Sequence, residues 1–526
     1  MIDRKNDRML NRRKLLKALS LGTTALAAGL RWPRQASAQT APAPTPIHEG
    51  NSLTIPPLLE GISDGMEKRF ELQLQQGETE FFPGVKTPTL GINGSFLGPT
   101  LRCSRNDLIR LQVNNQIGEP TTLHWHGLHV PARSDGGPHQ TIEHGERWEP
   151  LIRIMQPAAT LWYHSHMMHK TGEQVYRGLA GMLILDDDVS KGLALPSEYG
   201  VDDIPIIIQD RRFKKDGTLA YMTIYDDMVQ GMQGDIKMVN GVVDPYFVPT
   251  TTKVRLRILN AANARKYMLA FSDHRPFQVI ASDGGLLTAP VTMDMLMLAS
   301  GERVEIIADF SDGQPVTLVN VPMVSNYQDS PGAMSRIMRA MGSEGFDVLR
   351  FFPAAELRAS APVPEALTTI KRRHADEAVN TRTFRLQMGT GSRGGGDRGP
   401  TTGYRNGFGG GHGGGDYFIN GRQMAMDYIN ERVKLGDTEI WEVFNSSPMP
   451  HPFHIHSGQF QILDRDGIAP PPHELGFKDT VLVKGRETVR VILSFVDFSD
   501  AEHPYMYHCH MLEHEDRGMM GQFLVV

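Results

Sequence analysis

The chain has 526 residues, 40% hydrophobic and 22% charged, so it is several domains long at roughly 100–200 residues each and can bury cores. Its 53 glycines and 34 prolines suit many short strands joined by turns better than long helices. Residues 1–38 hold nine Lys/Arg and two Asp/Glu, a net of +7, so the rest carries −13 against −6 for the whole. An acidic chain of this kind is a poor ligand for nucleic acid or anionic lipid, and neither is expected as a partner.

Residues 1–38 read as an export signal. Residues 11–17 are basic, residues 18–30 are apolar, and Ala36-Ser37-Ala38 supplies a small-residue cleavage site. The pair Arg12-Arg13 points to the twin-arginine export machinery, and hence to a periplasmic protein. The 13 apolar residues fall short of the ~20 needed to span a bilayer, and no later segment is longer, so membrane insertion is not expected. Residues 39–65 form a Pro/Ala-rich lead-in, flexible or extended.

Three sets of short strand-like runs follow, over 66–190, 200–355 and 380–526. Runs at 70–74, 108–113 and 180–185 mark the first, 204–208, 254–259 and 303–307 the second, and 523–526 closes the third. Alternating strands with regular turn signals argue three β-sandwiches in an all-β protein. A similar Asn-Gly pair recurs before strands of each set (Asn93-Gly94, Asn240-Gly241, Asn420-Gly421), suggesting an internal threefold repeat. Residues 389–415 hold 14 glycines in 27 positions, too little apolar surface to offset ordering entropy, so a mobile loop is expected.

Of the two cysteines, Cys103 reads as a small hydrophobe on a strand, whereas Cys509 lies within His508-Cys509-His510. Three further His-x-His pairs occur: His124/His126, His164/His166 and His454/His456. Side chains two apart on a strand share a face, so the four pairs offer eight imidazoles to one place between the first and last domains. Cys509 must face away from its neighbours, and His451, an odd spacing from His454, can join it. With His514 and Met519 this makes one thiolate, two imidazoles and a thioether, the ligand set of a blue-copper electron-transfer site. Eight imidazoles suit three further coppers, four in all.

At these motifs the sequence resembles the multicopper oxidases: His-Trp-His-Gly, His-x-His, His-Pro-x-His-x-His and His-Cys-His-x-x-x-His-x-x-x-x-Met are complete, and the likeness spans about 66–526. It is most similar to three-domain periplasmic cuprous oxidases and bacterial laccase-like members, through 263–265, 280–287, 170–172 and 512–520. The resemblance implies three consecutive cupredoxin-like Greek-key sandwiches. It places type 2 copper on His124 and His454, one type 3 copper on His126, His164 and His510, and the other on His166, His456 and His508. His451, Cys509, His514 and Met519 fall to type 1. Asp135 and Glu515 stand where the family keeps proton donors. The expected reaction is four one-electron oxidations of a phenol, aromatic amine or Cu(I), coupled to reduction of O2 to water, by a monomer.

Two features depart from the cuprous oxidases. The segment that carries a Met-rich insert there is the Gly-rich run here. Ser447 stands at an acidic substrate position, although Met449 is kept. Met334, Met338 and Met341 are spaced as on one helix face, which suits packing as well as Cu(I) binding. A dedicated cuprous oxidase and a copper-binding protein without turnover are the competing readings.

Overall fold

The computed structural model describes residues 50–322, 345–390 and 414–526. The export signal, residues 39–49 of the lead-in, the Met334/Met338/Met341 stripe and residues 391–413 lie outside them.

The first sandwich is built on the long strand Lys68–Phe82, which buries Phe70, Leu72 and Leu74 and exposes Glu71 and Gln73 between them. That period of two is what one buried sheet face demands. The strand pairs in parallel with Leu108–Gln116 and antiparallel with Val85–Ile92. A second sheet, ordered Ala159–His164, Ala180–Asp186, Thr100–Ser104, closes over a core containing Leu72, Leu111, Val113, Leu161 and the unpaired Cys103.

In the second sandwich the strand Asp203–Arg211 is buried at every residue, as a strand covered on both faces must be. Ile206 and Ile208 face the domain's own core, while Ile207 packs outward with Leu259 on Trp162, Met182 and Ile184 of the first sandwich. The third sandwich sets Asn380–Thr390, Thr438–Asn445 and Thr488–Ser494 against His451–Ile455, Asp500–Cys509 and Met520–Val525. Trp441, Phe384, Phe453, Tyr507 and Phe523 fill its core.

The three Asn-Gly pairs are geometrically equivalent. Asn93, Asn240 and Asn420 all adopt φ between 51° and 55°, a left-handed conformation that asparagine tolerates. Each side-chain oxygen accepts from the backbone N–H of Gln73, Ile207 or Arg385. Each amide donates to the carbonyl two residues earlier, of Glu71, Pro205 or Thr383. A second device, which sequence reading missed, also recurs: Asn115, Asn260 and Asn445 each accept from the N–H two residues on. Their amides donate to the backbone carbonyls of Ile142, Leu298 and Val483, each distant in sequence.

The described part of the lead-in is extended and paired. Asn51–Ser52 adds to the second sandwich, Leu58–Leu59 and Ile62–Ser63 to the first. The ends of the Gly-rich run are strand as well, since Gly389 faces Asp416 and Thr390 faces Gly414.

Candidate metal centre

The strand Asp500–Cys509 turns alternate faces to two different places. Tyr505, Tyr507 and Cys509 point into the third core; His508 points the other way, towards the first sandwich. On the core side Cys509 Sγ lies 3.4 Å from His451 Nδ1 and 3.7 Å from His514 Nδ1, and the two nitrogens are 3.3 Å apart. The centre of such a triangle is about 2 Å from each corner, a metal–imidazole bond length. His514 Nε2 donates to the Val229 carbonyl at 3.2 Å. Ser447 Oγ donates to the Met449 carbonyl, so it accepts from His451 Nε2 at 2.9 Å. Both rings therefore turn an Nδ1 lone pair to the sulfur. Met519 is wholly buried, its N–H on the His514 carbonyl and its own carbonyl on the Cys509 N–H.

The His-x-His pairs do not sit mid-strand, as alternation alone suggested. They straddle strand ends: His164 is the last residue of Ala159–His164 and His166 lies beyond it, and His454/His456 and His508/His510 straddle their strand ends in the same way. His124 joins only through an isolated bridge to His164. Ladder pairing lapses there, so the rings can turn into the gap between the first and third sandwiches. His124 stacks on His456 at 3.9 Å between centroids, and His126 on His454 at 3.7 Å.

Ring nitrogens group as His126/His164/His510, His166/His456/His508 and His124/His126/His454, all buried. His508 Nε2 is 3.2 Å from both His166 Nε2 and His456 Nε2. Burial keeps the imidazoles neutral: it holds His166 down to about 4 and His451 to about 3, and pushes His124, His126, His164, His456 and His510 lower than usual. Nε2 of His124, His164 and His454, Nδ1 of His126 and both nitrogens of His510 have no protein hydrogen-bond partner. Each such buried group costs about 1–3 kcal/mol, and bound cations would remove that cost. Neutral imidazole is also the metal-binding form, so the residues fit copper.

The outward nitrogens are held by backbone and carboxylate. His124 Nδ1 donates to the Asp135 carbonyl and His454 Nδ1 to the Asp479 carbonyl. His456 Nδ1 meets Asp135 Oδ2 at 2.7 Å. Glu515 spans His166 Nδ1 at 3.3 Å and His508 Nδ1 at 3.1 Å. Such partners set the tautomer and aim the free lone pair. The two carboxyls differ in proton affinity. Burial raises that of Asp135 well above the ordinary range. Burial acts on Glu515 too, but His166 and His508 outweigh it and hold the group well below that range.

Asp479 was not singled out by the sequence. It lies 3.0 Å from His126 Nε2 and binds Arg303 Nη1 at 2.7 Å. Against its burial, Arg303 and then His126 hold it ionised. Only strand register could have found it, because Thr480 beside it is the cross-strand partner of His454. Neither His451 nor His514 reaches a surface. Val229 and Tyr417, stacked on His514 at 3.9 Å, cover one ring, and Ser447 covers the other. Met449 is packed in the third core.

Three cupredoxin-type sandwiches around buried His clusters consistent with copper sites define the class. Models described as multicopper oxidase match residues 73–190, 239–328 and 400–526. The chain is 34% identical over 489 residues to multicopper oxidase mco of Staphylococcus haemolyticus, covering 90% of this chain and 92% of that one. It is 35% identical over 523 residues to the cell division protein FtsP of Escherichia coli, covering 98% and 99%. A solved laccase-like multicopper oxidase, CueO of Ochrobactrum sp., with oxidase activity towards lignin model compounds, superposes with a TM-score of 0.77 at 35% identity, covering 90% and 100%. The chain belongs to the multicopper oxidase family.

Proposed function

We propose that this protein is a periplasmic, monomeric oxidase, exported by the twin-arginine route, that takes electrons singly from a small donor and delivers four to O2, forming water. Four coppers would supply the one-electron couple and the O2 chemistry. His451, Cys509, His514 and Met519 would hold one, His124 and His454 the second, His126, His164 and His510 the third, and His166, His456 and His508 the fourth. The observation that carries the reading is the placement of Cys509: its thiol is in one cluster, and its covalent neighbours His508 and His510 are in the other. Reducing O2 to two waters consumes four protons. Asp135, kept protonated by burial and hydrogen-bonded to His456, is placed to deliver them, and Glu515 to orient His166 and His508.

Phenols and aromatic amines are the favoured donors. Ser447 orients His451 instead of offering a carboxylate, Met449 is sealed in the core, and the Gly-rich run has no thioether. The lignin-directed activity of the Ochrobactrum relative points the same way. A dedicated cuprous oxidase remains the second reading, because the ligand motifs are shared with that group. The likeness to FtsP raises a reading without turnover, against which stands the complete set of ten buried histidines with Cys509 and Met519.

The test is Cys509→Ser in copper-loaded protein. The variant should fold but lack the intense thiolate-to-copper absorption, and its oxidase rate should drop by more than about 100-fold. Retention of either property would refute the assignment.

A further inference from the structure

A second soft-donor site lies against the His cluster. On the Asp500–Cys509 strand, Met506 shares the face of His508, away from the core-facing Tyr505, Tyr507 and Cys509. Across the ladder, Met520 is the partner of His508. Met506 and Met520 pack with Met424 and the half-buried Met168 in a cluster with no hydrophobic member other than methionine.

This composition is unlike the rest of the molecule, whose larger cores are filled by Leu, Val, Ile and aromatic rings. The cluster is also close to the cofactor histidines. Met168 follows His166 by two residues, and the Met506 carbonyl accepts from the His456 N–H at 3.0 Å. A Cβ placed on Gly137 would lie 3.7 Å from Met506 Cγ and 3.3 Å from Asp135 Oδ2, so the Met506 side chain and the Asp135 carboxyl both border that glycine.

We infer that Met168, Met424, Met506 and Met520 form a binding site for one soft monovalent cation, Cu(I) in the setting of this protein, at the edge of the His cluster. Thioether sulfur is neutral and polarizable, and selects Cu(I) over hard or divalent ions. With no carboxylate among its four members, the cluster suits a single positive charge. Unbranched methionines can swing to three- or four-fold ligation where branched side chains cannot. Half-buried Met168 is the edge that meets solvent, and Met506 and Met520 are the edge that meets His508, so the site lies between solution and the imidazoles. Its role as a staging point for copper rests on the reading of those histidines as copper ligands.

The test is a titration of copper-loaded, anaerobic protein with Ag(I), a redox-inert stand-in for Cu(I), comparing wild type with Met168→Leu/Met424→Leu. Leucine keeps volume and apolarity at a cost below about 1.5 kcal/mol, and neither residue lies on a His-bearing strand. Met168→Leu alone, at a half-exposed position, provides a variant whose folding is not in question. Wild type should bind one more Ag(I) than the double variant, with sulfur-only ligation by X-ray absorption, and Met168→Leu should weaken that equivalent by about tenfold. Equal stoichiometry and affinity in all three proteins would overturn the site. The thiolate-to-copper band, followed in the same samples, reports on the oxidase reading separately, because the Ag(I) difference does not depend on it.

Discussion

Asp135 and Glu515 face one cluster of imidazoles, yet their surroundings drive them to opposite proton states. Burial governs Asp135, although His456 Nδ1 lies at 2.7 Å and His124 Nδ1 at 3.5 Å; on Glu515 the contacts with His166 and His508 outweigh burial. Environments that push two carboxyls apart assign the acid and the base. Asp135→Asn keeps an acceptor for His456 Nδ1 and removes the transferable proton. Copper content and anaerobic reduction of the thiolate site should be unchanged, and reoxidation after an oxygen pulse should slow by about 100-fold, the usual worth of a positioned general acid. Normal reoxidation would return Asp135 to a turn former before Gly136, which has φ +77°. The residues alone favoured that bland role and only the family resemblance pointed to the catalytic one, because the contact with His456 spans 321 residues.

At the scale of elements, the short helix Tyr225–Gln230 of the second sandwich caps the thiolate site. Its Val229 carbonyl takes the His514 N–H, and Tyr417 Oη donates to Met228 and Val229. Among the described residues, Ile224 and Tyr225 at the start of this cap are 45% and 49% exposed. This cover comes from a segment with no recognisable motif in the sequence. Deletion of residues 391–413 should therefore change phenol turnover less than about twofold, measured side by side with Cu(I) as donor. A large rise with the phenol together with loss of Cu(I) oxidation would show that the run is a lid and favour the cuprous-oxidase reading.

At the scale of the whole molecule, a few buried polar groups fasten the three sandwiches around the site. Arg303 of the second donates to Thr160 in the first at 3.1 Å and to Asp479 in the third at 2.7 Å. Glu513 of the third accepts from Met232 N–H, Asn263 and Tyr221 of the second. Burial lifts Glu513 from 4.5 to about 7. The folded chain therefore binds the proton more tightly than the unfolded one, and the stability this lends is complete below pH 4.5 and lost as pH rises to about 7. The fall is roughly 3 kcal/mol at 1.36 kcal/mol per unit. Glu513→Gln should flatten this decline in denaturant midpoints taken from pH 4.5 to 8; an unchanged slope would show that other groups carry it.

Local pattern was enough for the all-β class, the threefold repeat and the convergence of four His-x-His pairs. Period-two alternation, turn asparagines and odd or even spacing act within a strand and need no tertiary contact to be read. Cys509 facing the opposite way from His508 follows from the same parity. What tertiary structure alone decided is which groups surround the imidazoles. Asp479 reaches His126 across 353 residues, Val229 covers His514 across 285, and Met424 joins Met168, Met506 and Met520. None of these has a spacing rule, because each depends on the docking of one sandwich against another and on strand register, where a one-residue slip would turn every side chain to the other face.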